Sequence, residues 1–278
     1  MIPDSKTNLL YLADSLPVKQ PKFFKRFTKV LNESAIEYKL LPCTNDIWAI
    51  DYMPIQISKN EFVQFTYDSA YLHDLKLLQT RSDVDSICRA IKIFPLKSEI
   101  ILDGGNVVKS FGKAIISNIV FKDNPQIERK ALIRKLENDL QIDEIIFIPW
   151  HEFDCTGHAD GMVRFFDRDT VLINDWSDET IEFQNSFEAA LHNAGLHCIE
   201  VPCNPYQNKS NIDVTGVYIN FLQMENAIIL PVFGTADDEK AVKIFEEIFS
   251  GQTITTIPCK EISKLGGVLH CISWNIKK

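Results

Sequence analysis

The chain has 278 residues, 45% of them hydrophobic and 24% charged, which is enough apolar material for a sizeable core and argues against wholesale disorder. Its formal net charge is −9 and its 29 Lys and Arg are scattered, with no basic stripe interleaved with aromatics, which argues against a nucleic-acid role and suits a cationic ligand. No apolar run reaches the ~18 residues of a membrane span and no signal peptide opens the chain, while the seven cysteines, without any Cys-x-x-Cys, read as reduced cytoplasmic thiols rather than a disulfide frame or a structural zinc site.

In chain order, a strand is expected over Asn8–Leu12, then a helix whose apolar face carries Phe24, Phe27 and Leu31. A second helix carries Val84, Ile87, Cys88 and Ile91, followed by strands over Glu99–Leu102 and Lys113–Ser117. A third carries Leu132, Ile133, Leu136 and Leu140, with strands over Glu144–Ile148 and Thr170–Ile173 after it. A fourth carries Phe183, Phe187, Ala190 and Leu191, with strands over Gly216–Phe221 and Ala227–Val232. The fifth carries Ala241, Ile244, Phe245 and Ile248, ahead of a strand over Thr253–Ile257. The helices follow the i, i+3, i+4, i+7 template. The strands are rich in Val, Ile, Leu, Phe and Tyr and stop at Gly, Pro, Asn or Asp. The helices recur roughly every 45–60 residues, which suggests repeated supersecondary units. Two architectures fit: a doubly wound α/β sheet, or a ring of five strand–strand–helix–strand units about a pseudo-axis. No flexible linker interrupts residues 1–278, so one domain is expected.

Four short stretches carry chemistry. In Asp154-Cys155-Thr156-Gly157-His158-Ala159-Asp160-Gly161, His158 and Asp160 are two apart, so on an extended strand they share a face. A His beside a carboxylate suits acid–base work near neutral pH, although His-x-Asp alone also fits a solvated surface strand. In Gly266-Gly267-Val268-Leu269-His270-Cys271 a cysteine follows a Gly-Gly turn, where small residues let a substrate approach the backbone; alone, it equally fits an inert core thiol, and His270 reads as structural. In Trp48-Ala49-Ile50-Asp51-Tyr52-Met53-Pro54 an aromatic face beside a carboxylate suits a planar cation, or else a core Trp with a capping Asp. Asp103-Gly104-Gly105-Asn106 reads first as a turn and matches no phosphate-loop pattern.

Taken together and in this order, the four stretches resemble the agmatine deiminase and bacterial-type peptidylarginine deiminase family of guanidine-modifying enzymes. The matching elements are Trp-x-x-Asp-x-x-Pro, acidic-Gly-Gly-Asn, Gly-His-x-Asp and Gly-Gly-x-x-His-Cys, between residues 44 and 271. Tyr218-Ile219-Asn220-Phe221 with Ile228 to Pro231 also looks like the family's strand pair before the last unit. The resemblance implies the five-bladed α/β propeller, or pentein, fold, with one guanidine-deiminase-like catalytic domain over residues 1–278. It implies Cys271 as nucleophile, His158 as general acid/base, and Asp51 and Asp160 as the carboxylates that grip a guanidinium. Trp48, Asp154, Asp103, Asn106 and Asn220 would be substrate-binding positions.

The implied reaction is hydrolytic deimination of a small guanidino compound, with agmatine leading to N-carbamoylputrescine and ammonia on the route to putrescine. It needs no metal and no organic cofactor. The expected partner is a small cationic substrate, not nucleic acid or membrane, and a homodimer is the candidate assembly. Ile50 and Met53 depart from the Arg and Gly usual before the Asp and Pro of the first motif, which leaves peptidyl or free arginine, or amidino transfer, as the alternative chemistry. A non-catalytic guanidine-binding relative is the remaining alternative.

Overall fold

Each of the five expected helices lies between two parallel strands of one small sheet. The structure is a computed structural model that describes residues 1–74, 78–151, 154–203, 208 and 210–278. Its strands form five separate three-stranded sheets, so the doubly wound alternative is set aside and the ring of five units is what the chain adopts. The first blade has β1 (Leu9–Ala13), α1 (Pro21–Glu33) and β2 (Tyr38–Leu41). The second has β3 (Ile55–Gln56), β4 (Phe62–Thr66), α2 (Val84–Ala90) and β5 (Leu96–Ile101). The third has β6 (Val107–Lys109), β7 (Lys113–Ser117), α3 (Arg129–Leu140) and β8 (Glu144–Ile148). The fourth has β9 (Val163–Phe165), β10 (Thr170–Asn174), α4 (Ile181–Asn193) and β11 (His197–Val201). The fifth has β12 (Leu222–Gln223), β13 (Ala227–Val232), α5 (Asp238–Ile248) and β14 (Thr253–Pro258). A last strand, β15 (Ser273–Ile276), returns to pair antiparallel with β1, Leu9 opposite Ile276 and Leu12 opposite Ser273, and so completes the first blade.

Within every blade the first, inner strand runs antiparallel to the middle one, and the helix crosses over to a parallel outer strand. The middle strands β1 and β7 are buried at every residue, because neighbouring blades cover one face and helices the other. Burial falls outward: β11 and β14 are largely exposed. Three of the helices, α2, α3 and α4, start where a side chain accepts from an orphan backbone N–H. Thr180 Oγ1 accepts from Phe183 N at 3.2 Å, Glu128 Oε2 from Ala131 N at 3.0 Å and Asp83 Oδ1 from Ser86 N at 3.0 Å. Their buried faces hold Phe23, Phe27 and Leu31 on α1 and Leu132, Leu136 and Leu140 on α3. On the first helix it is Phe23 rather than the expected Phe24 that is fully buried.

The inner strands are short and wholly buried or nearly so, and each carries a polar residue: Gln56, Lys109, Arg164, Gln223, and Asn275 beside Ser273. They converge with a turn from the N-terminal segment, Asp4–Lys6. That segment is tied down by Ile2 N–H to Gln56 O (3.1 Å) and Asn8 N–H to Ile276 O (2.9 Å). Asp4 is thereby seated between Arg164 Nη2 at 2.6 Å and Lys109 Nζ at 2.7 Å. A buried carboxylate between two cations is tolerated because each charge is paired.

Two expectations are corrected. Residues 216–221 form turns, not a strand; the following strand is only Leu222–Gln223. Tyr218, Ile219 and Phe221 are all fully buried, so their apolar character reflects a packed turn rather than a pleated ladder. His158 and Asp160 also do not lie on a strand: His158 precedes the 3₁₀ turn Ala159–Gly161, which leads into β9. Gly157, at φ +65°, turns the backbone into it. Among the described residues no helix is long and apolar enough to cross a membrane.

Candidate active site

Each inner strand is entered through a single turn, and these five entries meet at one end of the ring. The helical turn Ala49–Tyr52 precedes β3, Gly104–Asn106 precedes β6, Ala159–Gly161 precedes β9, and turns at 217–219 and 269–272 precede β12 and β15. All four chemical stretches, together with the one around Asn220, therefore occupy equivalent places in successive blades. Trp48, Asp51, Asp154, His158, Asp160, Asn220 and Cys271 line one cavity of about 190 Å³. Asp103 and Asn106, also expected to touch substrate, are not part of its wall; they lie behind it, buried.

Asp103 orients the histidine. Its Oδ2 lies 2.9 Å from His158 Nε2 and accepts from Tyr71 OH at 2.8 Å, while Oδ1 accepts from Ser69 Oγ at 2.8 Å. The other ring nitrogen, Nδ1, lies 3.4 Å from Asp51 Oδ1, which also accepts from Gly105 N at 3.2 Å. The Gly-Gly pair is explained by this crowding: a Cβ on Gly105 would sit 2.5 Å from Asp51 Oδ1 and 2.7 Å from His158 Nδ1. Asn106 braces the neighbouring backbone, its Oδ1 accepting from Ser117 N at 2.9 Å and Ala159 N at 3.2 Å. Asp154 Oδ1 accepts from Thr156 N and Thr156 Oγ1, both at 2.8 Å, which holds its carboxylate at the cavity wall.

On the other side, Asn220 Oδ1 accepts from the N–H groups of His270 (3.1 Å) and Cys271 (3.3 Å). This fixes the amide, so Nδ2 donates toward Cys271 Sγ at 3.2 Å and Asp160 Oδ2 at 3.3 Å. Cys271 Sγ lies 3.8 Å from that same carboxylate oxygen. A Cβ on Gly267 would come within 2.6 Å of Trp48 and 3.0 Å of Cys271 Sγ, so only glycine lets ring and sulfur share the pocket.

The electrostatics are lopsided. Among the described lining residues four carboxylates, Asp46, Asp51, Asp154 and Asp160, face one histidine and no Lys or Arg. Burial alone would lower the His158 pKa, but Asp51, Asp103 and Asp160 outweigh it and raise it to about 10. Burial pushes the Asp51 carboxyl well above the usual carboxylate range, and the pull of His158 offsets this only in part. Burial also acts to raise Asp160, yet its hydrogen bond and charge interaction with His270 bring it below the ordinary value. The Cys271 thiol is held well above its ordinary value by burial and then by Asp160 and Asp51. The surrounding carboxylates thus favour the imidazolium form of His158 and the neutral thiol form of Cys271.

Several participants carry no sequence signal. Tyr71 and Ser69 come from the segment after β4, and Ile212, Val214, Val217 and Leu265 close the apolar part of the wall. Of the arginines that a substrate carboxylate would require, Arg164 is buried against Asp4, Arg81 pairs with Asp68 and Arg89 bonds Ser86 on an exposed helix face. A second chamber of about 390 Å³ shares Asp154, Gly161, Val214 and Val217 with the first and extends to Asn174, Trp176 and Cys203. All seven cysteines are free thiols.

Comparison with known proteins places this arrangement. An agmatine deiminase from Stutzerimonas stutzeri is 26% identical over 207 residues, 62% of this chain and 56% of that protein. The chain spans about 60% of the length of the curated relatives it matches. The C. jejuni agmatine deiminase structure superposes with a TM-score of 0.82 at 22% identity, covering 100% of this chain and 95% of that one. DDAH from Pseudomonas aeruginosa shares the fold at a TM-score of 0.61 and 12% identity, covering 97% of this chain and 99% of its own. Residues 16–276, which include all five site turns, match the Porphyromonas-type peptidyl-arginine deiminase model, and the chain belongs to that family.

Proposed function

We propose that residues 1–278 act as one catalytic domain that hydrolyses the guanidino group of a small cationic substrate, agmatine first among them, to a ureido product and ammonia. One observation carries the reading: two buried carboxylates of different blades, Asp51 and Asp160, lie beside a sulfur and an imidazole in a cavity with no other described cation. A guanidinium supplies the missing positive charge and offers N–H groups to both carboxylates, and Trp48 provides an apolar, π-rich wall.

The sequence of events follows from the charges. Entry of the cation neutralises the two carboxylates that hold the Cys271 thiol up, so its proton leaves to solvent and the thiolate forms beside the guanidinium carbon. Sulfur adds to that carbon. His158, still an imidazolium because Asp103 holds its Nε2, gives a proton to the departing nitrogen, and the C–N bond breaks to release ammonia. The S-alkylthiouronium that remains is attacked by water, which gives its proton to the now neutral His158. The C–S bond then breaks as the added hydroxyl gives its remaining proton to solvent, the urea leaves and the thiolate returns. Asn220 Nδ2, 3.2 Å from Sγ, supports the anionic sulfur at both ends of the cycle.

Seven free thiols support a reducing compartment, and we place the enzyme in the cytoplasm with neither nucleic acid nor membrane as partner. The adjoining chamber favours one second reading, a longer guanidino substrate such as a peptidyl arginine. A substrate panel scored for ammonia separates the two. Mass spectrometry after treatment with a haloacetamidine tests the shared core: the adduct is expected on Cys271 and on none of the other six cysteines. Ammonia release that persists undiminished in Cys271→Ala would sink the reading.

A further inference from the structure

His270 lies next to the sulfur in sequence but does not line the cavity; its ring reaches instead between Asp160 and Asp4. Its Nδ1 lies 2.5 Å from Asp160 Oδ2, and its Nε2 lies 3.2 Å from Asp4 Oδ2. Both side chains it joins are buried, and His270 itself is 2% exposed. Asp4 is clamped in turn by Arg164 Nη2 at 2.6 Å and Lys109 Nζ at 2.7 Å, from the inner strands of two further blades. Arg164 is itself fixed by donating to Phe221 O at 3.1 Å. A continuous buried chain of hydrogen-bonded and ion-paired side chains thus runs from the N-terminal turn to the carboxylate beside Cys271.

We infer that His270 is a positioning residue that bonds Asp160 and keeps it aimed at the substrate, and that Asp4, clamped by Lys109 and Arg164, sets the tilt of the His270 ring. The groups facing Asp160 are His270, Asn220, Cys271 and, through charge, His158, Arg164 and Asp51. Of these, His270 alone places a ring nitrogen on the carboxylate, at Oδ2. Asn220 divides its amide between Asp160 and Cys271 and does not replace that contact. A buried carboxylate that loses its strongest donor holds its proton to higher pH. Asp160 that has become neutral no longer attracts a guanidinium, and it no longer holds up the neighbouring thiol. The two consequences have opposite signs for two kinds of reagent.

This inference rests on the deimination reading only for the meaning of Asp160, and its test does not use turnover. The rate of Cys271 modification is measured by mass spectrometry from pH 5 to 9 with cationic 2-chloroacetamidine and with neutral iodoacetamide. In His270→Leu the chloroacetamidine rate at pH 7 is expected to fall at least tenfold and its acidic limb to move up by a pH unit or more, while the iodoacetamide rate rises. His270→Gln, which keeps a donor, is expected to restore part of the cation preference, and Asp4→Leu to show the same signs at smaller size. Rates for both reagents that fall together, a cation-to-neutral ratio unchanged in a folded His270→Leu or Asp4→Leu protein, or a His270→Gln ratio as low as that of a folded His270→Leu, overturn the inference. A wild type that modifies normally but releases no ammonia from any guanidino compound refutes the deimination reading and leaves the alkylation ratio to decide this one.

Discussion

Asp51→Asn separates the charge of this carboxylate from its shape. The amide oxygen of an asparagine can still accept from Gly105 N–H, so the turn before β3 keeps its hydrogen bond. What is lost is a negative charge 3.4 Å from His158 Nδ1. At an effective dielectric of roughly 20 that pair is worth about 5 kcal/mol, a ceiling of about three and a half pKa units. Asp103 and Asp160 remain, and burial already lifts the Asp51 carboxyl, so a drop of about two to three units is expected. His158, raised to about 10 in the intact site, should then titrate near ~7 to 8. The assay is an NMR titration of ring-labelled histidine, assigned by a His158 variant, beside the pH profile of kcat/KM. In the wild type the His158 ring should stay doubly protonated through pH 8. In Asp51→Asn it should be at least half neutral there, and kcat/KM for a guanidino substrate should drop by about 10²- to 10³-fold as the guanidinium loses one charged partner and the acid its proton. A neutral His158 in the wild type at pH 7.5, or an unmoved titration in the variant, would refute the electrostatic account of the site.

The remaining predictions address other parts of the molecule. The alkaline limb of kcat/KM should fall near pH 10, where free-enzyme His158 loses its proton, and a limb near 6.5 would mean that the carboxylates do not hold it. Gly267→Ala brings a methyl within 2.6 Å of Trp48 and 2.8 Å of Cys271 Cβ; it should cost ~1–3 kcal/mol in denaturant unfolding and about a hundredfold in kcat as the sulfur is displaced. Thr180→Ala removes the cap that accepts from Phe183 N, far from the cavity, so stability should fall by about 1 kcal/mol while ammonia release is unchanged. Phe245→Ala, at a fully buried position on α5, should cost ~3–5 kcal/mol by thermal or chemical unfolding.

The helices were legible because their apolar faces repeat, and so were four of the five middle strands and some outer ones; Phe62–Thr66 carried no expectation. Lys113–Ser117, Glu144–Ile148 and Ala227–Val232 lie as expected, since each is an apolar run long enough to read. The inner strands were not, because Ile55–Gln56 and Leu222–Gln223 are too short for any period. The same shortness hid the turn that carries His158 and Asp160, whose spacing of two suits a strand but is realised in a 3₁₀ turn. The motifs nonetheless named side chains that meet, because each sits at the same place in its blade. Asp103 and Asn106 were named with them, and the ring puts both one layer back, on the histidine and on the backbone. Asp4, Ser69 and Tyr71 had no signal: they lie in irregular segments brought in by the closure of the ring.

That closure has a kinetic consequence. The seam at which β15 meets β1 joins segments separated by nearly the whole chain, and closing a loop of roughly 260 residues costs about 5 kcal/mol in chain entropy. Cys271 sits in the turn that enters the closing strand, and its backbone N–H is held by Asn220 of the preceding blade. Cys271 is therefore brought to the cavity by the same non-local event that shuts the ring. Until β15 pairs with β1 the cavity lacks its sulfur, so closure of the ring and completion of the site are one event.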